Sequence, residues 1–191
     1  RQLPGVKLVL TGADVSGIRY GWRLRDVPIL AEHETRFVGE RVAAVVAIDE
    51  ETAQRGLQAI KVDYGDLPAI FDPAFAMSED APLIHPEVNT YHGLPEPMDR
   101  ASNVLVRRTW GHGDIEAGFV SADFIVEKQY STQRMHHGYL EPHSCVVHID
   151  QQQRVNIWAP NKDPFVLRRE MAAAVGIPEH QIVVHPVPIG G

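Results

Sequence analysis

A helix pinned at both ends, set between two apolar strands, constrains this chain most. Asp163-Pro164 places an N-cap acid before a proline at the first helical position, where the missing N–H costs nothing. Gly176, with Pro178 beyond it, supplies the stop, so the spacing predicts a helix over 165–175. Residues 155–158 before it and 182–187 after it read as strands, and Ile189-Gly190-Gly191 follows the second.

The same local chemistry organises the first third of the sequence. Residues 6–10 form a short apolar run closed by Thr11-Gly12, a buried strand. Gly12, Gly17, Gly21 and Pro28 break up residues 11–35, which predicts a long loop. Residues 41–48 are apolar on both faces and read as a second strand. Asp49 then caps a helix whose first turn carries Glu50 and Glu51, where the helix dipole favours negative charge. That helix is expected to end near Ala59, with a strand over 60–64 turned by Gly65-Asp66-Leu67-Pro68, an α/β unit.

From residue 72 to 102 the pattern dissolves. Pro73, Pro82, Pro86, Pro95 and Pro97 fall in a stretch without periodicity, which reads as a linker. Beyond it, strands are expected over 103–110, 124–130 and 144–149, with a short helix capped by Asp114 between the first two. No internal repeat is visible.

Composition removes several function classes. The chain has 191 residues, 44% hydrophobic and 23% charged, enough for a substantial core. The net charge is −7, and no basic run stands ready to neutralise a phosphate backbone, which disfavours nucleic acid as a partner. No apolar stretch approaches the roughly 20 residues of a membrane span. The single cysteine, Cys145, cannot form an internal disulfide, and its apolar neighbours predict a buried, inert thiol. Arg1-Gln2-Leu3-Pro4-Gly5-Val6 reads as a turn entering a strand without an initiating Met, so the sequence is expected to be a piece of a longer one.

Three segments are candidates for chemistry. Gly190-Gly191 directly follows a strand, where a bare backbone can approach a ligand and aim N–H groups at an anion, although a diglycine also makes an ordinary turn. Residues 134–143, Arg-Met-His-His-Gly-Tyr-Leu-Glu-Pro-His, invite a metal reading. They lack the usual ligand spacing, and adjacent strand histidines face opposite ways, so hydrogen-bonded histidines in a polar loop are expected instead. Glu141, before a proline and among apolar neighbours, is a candidate buried carboxylate that organises backbone donors. Asn161-Lys162-Asp163 joins a strand to a helix N-terminus, where unpaired N–H groups collect. Asp163 is used as the cap, and Lys162 faces either solvent or a site. No nucleophile elbow, Walker loop, dinucleotide glycine pattern or zinc-protease motif is present. By themselves these residues specify a soluble α/β protein with a terminal glycine turn.

Several phrases together resemble the large subunit of the molybdenum hydroxylases, the xanthine dehydrogenase/aldehyde oxidase family. They are Leu3-Pro4-Gly5-Val6 with Leu10-Thr11-Gly12-Ala13-Asp14, Val38-Gly39-Glu40-Arg41-Val42-Ala43-Ala44-Val45 and Val62-Asp63-Tyr64-Gly65-Asp66-Leu67-Pro68-Ala69. Gly113-Asp114-Ile115-Glu116-Ala117-Gly118-Phe119, Gly138-Tyr139-Leu140-Glu141-Pro142-His143 and Arg168-Arg169-Glu170 with Gly176-Ile177-Pro178 follow. Each phrase is weak; the ordered set, spread over nearly the whole chain, is strong.

The resemblance implies an α+β fold: an α/β-hammerhead domain over 1–71, N-terminally incomplete, a linker over 72–102, and the start of a molybdopterin-binding domain over 103–191. It implies hydroxylation of an aldehyde or N-heterocycle with water as the oxygen source, at a molybdopterin cofactor. Electrons would leave through iron–sulfur clusters and FAD on partner domains or subunits, so the implied partners are the remainder of the large subunit, those subunits and a small-molecule substrate. Gly190 and Gly191 match the opening of the family's cofactor-contacting G-G-F-G-G turn. Counting back from Gly176, Lys162 stands where many relatives place a glutamine that hydrogen-bonds a molybdenum oxo group, and its compact positive charge is a departure. The family's catalytic glutamate lies beyond residue 191. No protein metal ligands are expected, and the cytoplasm is the expected compartment, with the periplasm as an alternative. Two other readings stay open: a non-catalytic split subunit that scaffolds the cofactor domain or contacts an electron-transfer partner, and a metal site built on His136, His137, His143 and His148.

Overall fold

The computed structural model describes residues 3–190. The elements in chain order are β1 (Val6–Thr11), β2 (Arg19–Tyr20), β3 (Val27–Pro28), β4 (Ala43–Ala47), α1 (Glu50–Gln58), α2 (Pro73–Ala76), α3 (Ile115–Ser121), β5 (Val146–Ile149), β6 (Val155–Pro160), α4 (Pro164–Val175) and β7 (Ile182–Val187).

In the first region β1 and β4 pair antiparallel, with Thr11 opposite Ala43 and Val6 opposite Ala47. Asp49 caps α1 as its sequence predicts, accepting the Thr52 N–H at 2.8 Å. Those hydrogen bonds from Thr52 hold the Asp49 carboxyl below its ordinary value. The long loop carries the small hairpin of β2 and β3.

The proline-rich stretch is not a bare connector. Val88 and Tyr91 are buried with Leu30. The Arg25 N–H donates to the His92 carbonyl at 2.9 Å, and Arg36 Nε donates to the Ile84 carbonyl at 3.1 Å. Asn103 completes the tie: its amide donates to the Ala76 and Pro82 carbonyls, and its Oδ1 accepts from the Ile84 N–H. Side chain to backbone bonds of this kind have no periodicity, which is why sequence patterning passes over them.

The last region is a three-stranded sheet in the order β5-β6-β7, with β5 antiparallel and β7 parallel to β6. Helix α4 crosses between the two parallel strands and packs on them, and Ile157, Ala172 and Ile182 form a buried cluster there. The helix ends where expected: Gly176 sits at φ 71°, a left-handed turn that costs glycine little, and donates to the Ala172 carbonyl.

Three expected strands do not form. Among the described residues, none makes a ladder with 60–64, 103–110 or 124–130. Their apolar side chains stay open, Phe124 at 91% and Trp110 at 85% exposure. Local preference makes a segment extended, but only a neighbouring strand satisfies its backbone and covers its faces. Cys145 is likewise exposed rather than buried, because β5 is an edge strand with little packed on it.

Candidate functional site

Topology decides which candidates meet. β6 and β7 run parallel with Pro160 opposite Val187, so both strands finish at one edge of the sheet. The loop 161–163 leaves β6 there, and Ile189-Gly190 leaves β7 there. β5 runs the other way, with Val146 opposite Trp158, so the chain enters β5 from the same edge. Glu141, Lys162 and Gly190 therefore converge on the carboxyl end of a parallel pair, beside the N-terminus of α4, the usual ligand position in α/β sheets.

Each residue has a defined state. Asp163 is committed as the α4 cap, its carboxylate accepting the Val166 N–H at 3.0 Å. Its own N–H donates to Asn161 Oδ1 at 2.7 Å, which shapes the turn. Lys162 between them is exposed, and no hydrogen bond or ion pair holds its ammonium among the described residues. Gly190 donates its backbone N–H to Glu141 Oε2. A side chain at 190 would begin 3.1 Å from that same oxygen and 3.2 Å from the Glu141 Cβ, so only glycine fits without displacement. What Gly190 offers a ligand is a bare backbone surface, since its N–H is already used. Gly191 lies outside the described residues.

The histidine segment forms a ring stack. Tyr139 lies parallel to His143, centroids 5.3 Å apart and planes 14° apart, and His136 packs on Tyr139 at 5.4 Å. The Gly138 N–H donates to His136 Nδ1 at 2.9 Å. His148 stands apart on β5, opposite Asn156. Among the described residues no group of three His, Cys, Asp or Glu side chains is arranged to hold a metal ion. Glu141, expected as a buried carboxylate that organises backbone donors, does accept a backbone N–H, that of Gly190, but is half-buried rather than buried because few residues pack around the bend that carries it.

A separate concavity of about 400 Å³ lies against the first region, lined by Arg19, Arg25, Glu87 and Tyr91 among others. Arg19 stacks over the Tyr91 ring at 4.6 Å and pairs with Glu87 at 3.7 Å, and Arg25 lies 4.0 Å from Glu170. Its guanidinium charge is thus opposed by carboxylates, and none of the candidate residues lines it.

The residues at the sheet edge fit an extended anionic cofactor edge: a backbone stripped of side chain at Gly190 and, at Lys162, an ammonium without a partner among the described residues. Comparison with known proteins identifies the two regions of the chain. Residues 97–191 match the molybdopterin cofactor-binding domain, and residues 1–68 match the a/b hammerhead domain of aldehyde oxidase and xanthine dehydrogenase. A probable xanthine dehydrogenase subunit of Bacillus subtilis is 30% identical over 100% of this chain and 24% of its own length. The carbon monoxide dehydrogenase large chain of Afipia carboxidovorans is 32% identical, again over 100% of this chain and 24% of its own. The aldehyde oxidoreductase structure from Desulfovibrio desulfuricans superposes with a TM-score of 0.80 at 25% identity, covering 100% of this chain and 21% of that one. The chain thus spans about a quarter of the length of these relatives. It belongs to the xanthine dehydrogenase/aldehyde oxidase family of molybdopterin-binding large subunits, with the α+β architecture of a hammerhead domain followed by the start of the cofactor-binding domain.

Proposed function

We propose that the chain is the part of a molybdenum-cofactor-dependent oxidoreductase that forms the first edge of its cofactor site. The parent enzyme hydroxylates an aldehyde or N-heterocycle and takes the oxygen from water. The observation that carries this reading is that β6 and β7 end at one sheet edge, so that Lys162 and Gly190 follow them there. When bound, the cofactor supplies the two-electron oxidation; the chain supplies position and electrostatics.

Within this reading Lys162 donates a hydrogen bond toward the cofactor and adds a compact positive charge where many relatives have a neutral amide. Gly190, with Gly191, lets the backbone approach without a side chain between them. The N-terminus of α4 adds the favourable end of its dipole. The domain limits are 1–71, 72–102 and 103–191. The partners are the remainder of the large subunit, iron–sulfur and FAD-bearing subunits and a small-molecule substrate. The open apolar segments 103–110 and 124–130 support a large covering partner. No described helix is long and apolar enough to cross a membrane; the proposed compartment is the cytoplasm.

The test is metal and cofactor analysis of the full-length subunit purified with its partners. The expected result is molybdenum and pterin in stoichiometric amount, with Lys162→Gln retaining both. An active, intact assembly without molybdenum would overturn the reading.

A further inference from the structure

Glu141 lies 49 residues from Gly190 in sequence, yet its carboxylate receives the Gly190 N–H. Three features place it there. The chain bends at Glu141, and Tyr139 stacks on His143 across that bend. His136 extends the stack, and the Gly138 N–H closes on its Nδ1. The antiparallel entry into β5 then delivers the bend to the edge where β7 ends. On the other side, Gly190 has no Cβ, and an added one would press on Glu141 Oε2, Cβ and Cδ at 3.1–3.4 Å.

We infer that Glu141 is a positioning residue: it clamps Gly190 so that the glycine turn is held in place for the cofactor. This rests on the cofactor-edge reading above and adds a residue to it. The Glu141 side chain is long enough to carry an acceptor oxygen from its bend to the Gly190 N–H. Glycine gives maximal backbone freedom, so a turn of glycines has no fixed shape unless something outside it imposes one. Glu141 is that constraint. Its negative charge is spent on the Gly190 N–H, while the cation at the site, Lys162, remains without an internal partner among the described residues.

The clamp depends on reach more than on charge, and that separates two variants. Glu141→Gln keeps side-chain length and an acceptor oxygen. Glu141→Asp keeps the charge and withdraws the oxygen by one methylene. Both are made in the full-length subunit within its assembly, with molybdenum and pterin content, hydrogen exchange at the residue-190 amide and thermal unfolding as readouts. Glu141→Asp is expected to speed exchange at residue 190 roughly tenfold and to lower cofactor retention several-fold, with Glu141→Gln near wild type in both. Gly190→Ala, which presses on the clamp from the other side, is expected to lower retention as well. Unchanged exchange and retention in Glu141→Asp would overturn the inference, as would loss in Glu141→Gln with retention in Glu141→Asp, because charge and not reach would then decide. If the wild-type assembly holds no molybdenum, the cofactor reading fails, while the exchange measurement still decides whether Glu141 holds Gly190.

Discussion

Trp158 and His185 face each other across the parallel ladder of β6 and β7, their rings stacked with centroids 4.4 Å apart and planes 10° apart. His185 Nε2 lies 2.9 Å from Asn156 Oδ1, so with that amide orientation Nε2 carries the ring proton. The pair covers one face of the strand junction a few residues before both strands reach the site.

Replacing His185 by Ala removes both the stack and the bond to Asn156. The expected loss is about 1–2 kcal/mol of stability. His185→Phe keeps the stack, removes only the donor to Asn156 Oδ1 and is expected to lose less. Denaturant midpoints of the two variants, each set against wild type, check the order; equal losses would remove the stack from the account.

The two ends of α4 make a second prediction. Asp163→Ala removes the cap on the Val166 N–H and is expected to cost about 1 kcal/mol. Gly176→Ala forces a Cβ into a φ of 71° and is expected to cost about 1 kcal/mol as well. The sites share no partner, so the double variant should lose nearly the sum. Thermal or denaturant unfolding reads all three.

His85 gives the chain a pH-dependent contact. Its Nδ1 lies 3.1 Å from the Tyr91 hydroxyl, which donates in turn to Glu87. Burial lowers its pKa from the ordinary 6.5, and the positive charge of Arg36 lowers it further. Below 6.5 the unfolded chain then binds the proton more readily than the folded one. The stability His85 supports is therefore complete above that value and lost as pH falls below it. Melting temperatures from pH 8 to 5, in wild type and His85→Gln, should show a smaller acid-side loss in the variant. Parallel curves would contradict the assignment.

The unpaired segments lead to a fourth prediction. Residues 124–130 carry open apolar side chains at Phe124, Val126 and Tyr130. Strand-forming residues without a ladder are covered when a longer chain supplies the neighbour. Hydrogen exchange on the full-length subunit should find the amides of 103–110 and 124–130 protected well beyond those of an ordinary loop. Exchange at loop rates would show that no strand covers them.

Much of this organisation was legible in the residues themselves. Asp49, Asp114 and Asp163 each cap the helix expected of them, and Gly176 ends α4, because capping needs only neighbours within a few positions. β1, β4, β5, β6 and β7 fall within or next to their predicted runs for a related reason: short apolar strands bounded by turn residues announce themselves. The strands expected at 60–64, 103–110 and 124–130 were equally plain in pattern and did not form, because a strand is completed by a partner that its own residues do not specify.

The candidate site divides along the same line. Lys162, beside a helix start, and Gly190, after a strand, could be singled out by local context alone. The helix caps, the glycine turn and the ordered phrases that place the chain in its family are all written in neighbouring residues. That β7 lies parallel to β6 and β5 antiparallel, which brings Lys162, Gly190 and Glu141 to one edge, emerges only when the sheet assembles. The difference comes from distance along the chain. A cap or turn is closed by bonds spanning two to four residues, whereas the bond from Gly190 to Glu141 spans 49 and exists only once the sheet has brought its ends together.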